Sequence, residues 1–174
     1  PQVATARAGN VIGGGDWTEN GLIADIIRAF GQAKPVIVRN PLAIRPWQHV
    51  LEPLSGYLML AEALYADGAQ YAQAWNFGPR EEDCKPVNWI LDRMVNLWGD
   101  GASWALDQDA NPHEARLLKL DSSKAATYLG WTPQWRLEPA LHNVVHWYRE
   151  WHAGADMTQH CLNDIAAYTN FKAS

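Results

Sequence analysis

Arg7-Ala8-Gly9-Asn10-Val11-Ile12-Gly13-Gly14-Gly15-Asp16-Trp17 continues a short extended run that begins at Val3, and it is answered further along by Ile44-Arg45-Pro46-Trp47-Gln48-His49-Val50. Each block joins a strand-like segment to a loop with special backbone needs. Pro46 pushes Arg45 out of helical geometry, and three consecutive glycines admit backbone conformations that a Cβ would forbid. Between the blocks, Leu22, Ile23, Ile26, Ile27 and Phe30 recur at helical spacing, with Gly31 as the expected stop. Pro35-Val36-Ile37-Val38-Arg39 is short and β-branched, so it reads as a strand.

The pattern continues outward from there. Glu52-Pro53 opens a helix that sets Leu54, Leu58, Ala61 and Leu64 on one face, with Pro53 in the first turn and Gly68 ending it. Ala74 to Phe77 reads as a strand, and Pro86 starts a helix that runs to Gly99. Short strands are expected at Ser103 to Leu106 and Leu117 to Leu120. Asp121, Ser122 and Ser123 offer N-caps for a helix ended by Gly130. Further helices cover Pro139 to Trp151 and Asp156 to Tyr168. Strands alternate with helices throughout, which predicts an α/β fold.

Composition bounds what such a chain can do. Its 174 residues are 48% hydrophobic, typical of one globular domain with a real core. Lys and Arg total 14 against 19 Asp and Glu, for a net charge of −5, and the basic residues are scattered. That argues against a nucleic-acid partner or an anionic membrane surface. Cys84 and Cys161 have no metal-ligand spacing, so neither a disulfide framework nor a zinc site is expected. With no transmembrane run and no signal sequence visible, a reducing cytoplasm is the default. The chain opens on Pro1 and enters a strand almost at once, and the expectation drawn from this is a fragment lacking its preceding sequence.

Ten tryptophans could suggest stacking on sugar rings, but Trp89, Trp98, Trp147 and Trp151 fall inside helical apolar patterns, where large aromatics are usually core. The three glycines invite a phosphate-cradle reading. Their spacing fails it: a dinucleotide fingerprint counted from Gly13 needs glycine where Thr18 stands, and no Gly-Lys-Ser/Thr ending follows. His142 and His146 lie one turn apart without the intervening Glu of a zinc-protease helix, so an exposed helix face is the simpler reading.

Taken in order and spacing, Arg7-x-Gly9-Asn10-Val11-x-Gly13, the Leu22-Ile23 helix start, Ile44-Arg45-x-Trp47-x-x-Val50 and Trp75-Asn76-x-Gly78 resemble the extended short-chain dehydrogenase/reductase family. The longer strings, with Gly99-Asp100-Gly101-Ala102-Ser103-Trp104, Pro112-His113-Glu114-Ala115, Leu118-Lys119-Leu120-Asp121 and Leu129-Gly130-Trp131, narrow the resemblance to members acting on CDP-glucose. It implies a substrate-binding lobe plus the last strands and helices of a Rossmann-type parallel sheet. Residues 1–12 and 52–78 would belong to that sheet, and 13–51 with 79–174 to the lobe.

The resemblance also implies a ligand, CDP-glucose or a related nucleotide sugar, the cofactor NAD, and a homo-oligomeric protein. Substrate contacts are implied at Asn10, Leu22, Val36, Val38, Arg45, Asn76 and Arg116, with Asn10 also near the cofactor. Arg45 matches the diphosphate clamp, a role suited to a planar fork of donors; the plainer alternative for it is a surface ion pair, and on residue type alone Asn76 reads as a turn former. Arg39 falls near a position often aromatic in related enzymes. Position 21 is Gly where relatives carry a basic residue, so no phosphate contact is expected there.

The implied reaction oxidises the glucose carbon 4 hydroxyl with NAD, eliminates water across carbons 5 and 6, and returns hydride to carbon 6. It needs a tyrosine of lowered pKa in a Tyr-x-x-x-Lys pair. The only such spacing here is Tyr168 to Lys172, at the extreme C-terminus with no strand after it. The expectation is that no catalytic residue lies in this chain and that the isolated piece does not turn over. Two alternatives stay open: another nucleotide-sugar enzyme of the family, and a carbohydrate-binding module using exposed tryptophans.

Overall fold

At Gly9 the chain changes sheets. In the computed structural model, which describes residues 2–108 and 115–171, β1 (Thr5–Ala8) pairs in parallel with β5 (Ala74–Phe77), whereas β2 (Asn10–Ile12) pairs in parallel with β4 (Ile44–His49). A Cβ on residue 9 would lie 2.3 Å from the Pro46 carbonyl oxygen, so only glycine lets the chain cross so close to β4. β4 also pairs antiparallel with β6 (Cys84–Pro86), and β3 (Val36–Val38) forms a separate parallel pair with β7 (Trp104–Leu106). The helices are α1 (Leu22–Gly31), α2 (Leu51–Ala66), the single turn α3 (Gly68–Tyr71), α4 (Val87–Trp98), α5 (Ser123–Leu129), α6 (Leu137–His152) and α7 (Met157–Thr169). The α/β architecture with parallel pairing is as expected from the alternation of patterns.

Two apolar cores hold these elements. The larger joins Ile12, the inner face of α1, Val36 and Val38, Trp47, and the facing sides of α4 and α6. The smaller gathers Leu60, Trp75, Phe77, Ala125 and Trp131. Left-handed glycines close two helices, Gly99 after α4 with φ +70° and Gly130 after α5 with φ +68°. Asp156 caps α7, its carboxylate accepting from the Thr158 and Gln159 amides.

Several expectations fail. α1 includes Gly31, and the turn after it is made by Gln32 and Ala33, the latter at φ +52°. α2 ends at Ala66 and Gly68 begins the next turn. Leu117 makes only an isolated bridge to Ile44, formed by Ile44 N to Arg116 O (2.8 Å) and Leu118 N to Ile44 O (3.1 Å), and the pairing does not continue into a strand. Trp98 and Trp147 are buried as expected, but Trp151 is 43% exposed, lying against Trp17 on the outer side of α6. The apolar face that carries Leu54 and Leu58 on α2 is not the one packed inward: both are exposed, and Glu52, Pro53, Gly56 and Leu60 are buried.

The triple glycine is a packing device. Atoms of the Trp147 indole would stand 2.2 Å from a Cβ on Gly14, and the Tyr148 hydroxyl bonds both the Asp16 amide (2.8 Å) and the Asp16 carbonyl (2.9 Å). The loop is thus clamped flat on α6. Gly14→Ala is expected to destabilise the protein by about 1–3 kcal/mol through overpacking, read as a lowered urea midpoint with an unchanged slope.

Candidate functional site

Asn10, Leu22, Val36, Val38 and Arg45 converge on one cavity of about 350 Å³. Asn10 opens β2 directly opposite Trp47 of β4, and the Trp47 indole is fixed by donating to the Lys85 carbonyl at 2.9 Å. Leu22 is the first residue of α1, after an extended Gly21. That end is held by Arg28, whose guanidinium pairs with Asp25 and donates to the Thr18 carbonyl at 2.7 Å. Val36 and Val38 bury their side chains in the core, so β3 offers the cavity mainly backbone.

Arg45 sits on β4 with its Nη1 donating to the carbonyls of Ile44 (3.0 Å) and Ala115 (2.8 Å). These bonds orient the guanidinium plane at the cavity wall. Asn20, Asp25 and Asn40 complete the polar lining. Sequence reasoning missed these three. Asn20 carried the only available signal, as an Asn beside glycine in a turn, and it adopts φ +62°. Asn40 has a buried Nδ2 with no partner among the described residues.

Two expected residues lie elsewhere. Arg116 borders an adjoining cavity of about 420 Å³ that shares Arg39, Asn40 and Ala43 with the first. Asn76 is on β5, outside both. Its Oδ1 accepts from Arg7 Nη1 at 3.3 Å and its Nδ2 donates to the Asp121 carbonyl at 3.2 Å, which ties the β1–β5 pair to the segment before α5.

None of the six tyrosines lines the first cavity. Tyr168 is buried against Glu52, to whose Oε2 it donates at 2.9 Å, and burial pushes its hydroxyl pKa well up, the wrong direction for a general base. Lys172 and the Pro112 to Glu114 part of the matched block lie outside the described residues. His142 and His146 are exposed, and no metal-binding group occurs among the described residues. No helix there is long and apolar enough to cross a membrane.

A Cβ on Gly13 or Gly14 would collide with Val50 or Trp147, so these two glycines are accounted for by close packing, without an anion-cradle role.

No protein-family model matches the chain. It is 55% identical over 166 residues to the CDP-glucose 4,6-dehydratase of Salmonella typhimurium, a match covering 95% of this chain and 46% of the relative. The chain thus spans about half the length of the curated relative it matches. Among solved structures it resembles UDP-glucuronic acid 4-epimerase from Bacillus cereus in complex with UDP-glucuronic acid and NAD, with a TM-score of 0.73 at 18% identity over 86% of this chain and 46% of that one. It also resembles dTDP-glucose 4,6-dehydratase from Bacillus anthracis in complex with NAD, with a TM-score of 0.66 at 17% identity over 88% and 46%. Similar over almost its whole length to the C-terminal part of CDP-glucose 4,6-dehydratase, the chain carries the α/β fold of the corresponding portion of the Rossmann-type short-chain dehydrogenase/reductase enzymes.

Proposed function

We propose that this chain is the nucleotide-sugar-binding part of an NAD-dependent dehydratase that converts CDP-D-glucose to CDP-4-dehydro-6-deoxy-D-glucose. The single observation that carries the reading is 55% identity across 95% of the chain to an enzyme of that name. The cavity supports it: backbone from β3, an amide at Asn10 and an oriented guanidinium at Arg45 are the groups a nucleoside diphosphate needs. In this reading Asn10, Leu22, Val36, Val38 and Arg45 line the ligand and Arg116 supplies a second cation. Asn76 acts from outside, through the strand pair it braces. NAD is held mainly by other parts of the protein, with Asn10 the one contact from here, and the working protein is a cytoplasmic homo-oligomer.

The carbohydrate-module alternative needs a planar exposed row of tryptophans. Of the ten, only Trp17 and Trp151 are exposed, and they lean on each other with ring planes at 53°. No such row exists.

Calorimetric titration of the full-length protein with CDP-glucose, UDP-glucose and dTDP-glucose tests the assignment. Tightest binding of CDP-glucose is expected, with NAD-dependent formation of the 4-keto sugar; equal affinity for all three would remove the cytidine preference. Arg45→Ala is expected to weaken CDP-glucose about tenfold to a hundredfold, the range for a hydrogen-bonded charge contact. Arg45→Lys restores only part of it, because an ammonium lacks the fork. The 174-residue chain alone is expected to show no dehydratase activity.

A further inference from the structure

A hollow of about 380 Å³ opens against β5, lined by Gln70, Tyr71, Gln73, Trp75, Lys124 and Tyr128. It shares no residue with the cavity of Asn10 and Arg45. Lys124 and Tyr128 stand one turn apart on α5 and form one wall; Gln70 and Tyr71 of α3 form another. Trp75, 2% exposed, is the floor, and Tyr71 is stacked on it with ring centroids 5.9 Å apart and planes at 25°. Such a size, with aromatic walls and a few polar groups, is that of a small-molecule site.

The polar groups decide what it can hold. The Lys124 ammonium lies 4.4 Å from the centroid of the Trp75 ring and donates to Gln73 Oε1 (2.8 Å) and to the Ala74 carbonyl (2.9 Å). These contacts fix the ammonium in place and leave one of its three protons to give. No carboxylate of a described residue pairs with it. Gln73 donates its Nε2 to the Gln70 carbonyl at 2.7 Å, so its amide is engaged at both ends. A sugar ring needs several hydrogen-bonding groups around its rim, and few are free here. A fixed cation with one proton to give, beside the exposed ring of Tyr128, suits a flat monoanion better than a sugar or a phosphate dianion. Beyond Tyr71 and Tyr128 lies an adjoining hollow lined by Met59, Ala63 and Leu129 but also by Glu62, which leaves the Lys124 side for the anionic end.

We propose that this hollow is a second ligand site, taking a small aromatic ring that carries a single carboxylate, with the carboxylate on Lys124 and the ring against Tyr128. It does not depend on how the first cavity is used.

Ligand-observed NMR titrations of the full-length protein with benzoate, benzyl alcohol, acetate and glucose test the assignment. Benzoate is expected to bind saturably, and the ring without charge and the charge without a ring each at least about tenfold more weakly. Saturating CDP leaves benzoate binding unchanged. Lys124→Gln is expected to weaken benzoate about tenfold, the loss of one charged hydrogen bond. Tyr128→Ala is expected to weaken it about threefold to tenfold, the loss of one aromatic contact; Tyr128 is 61% exposed, so its replacement leaves the fold intact. Absence of saturable benzoate binding, displacement of benzoate by CDP, or indifference to both substitutions overturns the assignment. Tighter binding of glucose than of benzoate overturns it in favour of a sugar platform.

Discussion

Replacing Glu52 with alanine is expected to cost about 3–5 kcal/mol of folding stability, because three neutral donors lose their acceptor at about 1–3 kcal/mol for each that stays unsatisfied. Glu52 is completely buried in the first turn of α2. Its carboxylate accepts from the amides of Gln134 (2.9 Å) and Trp135 (2.6 Å) and from the Tyr168 hydroxyl (2.9 Å). Ser55 extends the web, donating to the Glu52 carbonyl at 2.7 Å, accepting from Trp131 Nε1 at 3.0 Å, and standing 3.0 Å from the Tyr168 hydroxyl. One side chain thus ties α2, the segment leading into α6, and α7 together. Alanine would leave three donors without their acceptor, two of them part-buried amides and one a buried hydroxyl. Glutamine keeps the size and one acceptor but turns its NH2 group toward a donor, so an intermediate loss is expected. Urea denaturation of the three forms measures the order, and an alanine form as stable as the parent would show that the web is not holding the fold. Tyr168→Phe removes only one donor and is expected to lose less, about 1 kcal/mol.

Glu52 also shows what was legible in the sequence. A Glu-Pro pair ahead of an apolar run announces a helix start correctly, and α2 begins at Leu51. Periodicity groups Leu54 and Leu58 on one face but does not decide which side is buried, because it weighs side-chain hydrophobicity and cannot see distance. Gly56 lies so close to Phe77 that an added Cβ would be 2.2 Å from the ring. That close approach decides which side of α2 meets β5, and the leucines at 54 and 58 are turned outward as a consequence. The same limit explains the triple glycine, which has the composition of an anion loop and the environment of a packing contact against Trp147.

The lining of the first cavity was more legible than the packing. Asn10, Leu22, Val36, Val38 and Arg45 come from separated segments, yet a likeness in order and spacing gathered them, and the structure brings them to one cavity. Asn76 and Arg116 were indicated with the same pattern but depend on how β5 and the segment after residue 115 lie against the lobe, which no local pattern encodes. Asn40 was invisible for a different reason. An Asn before proline is ordinary at a strand end, and only its buried side-chain Nδ2, without a partner among the described residues, singles it out.

Acid is expected to weaken the fold through His49 by about 3 kcal/mol between pH 6.5 and pH 4. The imidazole is 4% exposed at the end of β4, its ring 4.9 Å from that of Trp135, and its Nδ1 accepts from the Leu51 amide at 3.3 Å. Protonation would therefore both charge a buried ring and place a proton where an N–H already points. Desolvation lowers its pKa from 6.5 to about 4. An unfolded chain binds the proton first as pH falls, so the stability is fully present above pH 6.5 and is lost on the way down to about 4. A shift of that size corresponds to the stated energy at about 1.4 kcal/mol per unit. Glu52 acts in the opposite sense: burial raises its pKa, so its contribution is greatest at low pH and declines as pH rises through the folded value. The total curve mixes the two, and the difference between the parent and His49→Asn isolates the histidine. Asparagine can present Oδ1 to the Leu51 amide without titrating, so its stability measured by urea at pH 7, 6, 5 and 4 should fall less steeply than the parent's. Parallel curves would mean that His49 charges without opposing the fold, and that the neutral ring is not what the turn between β4 and α2 requires.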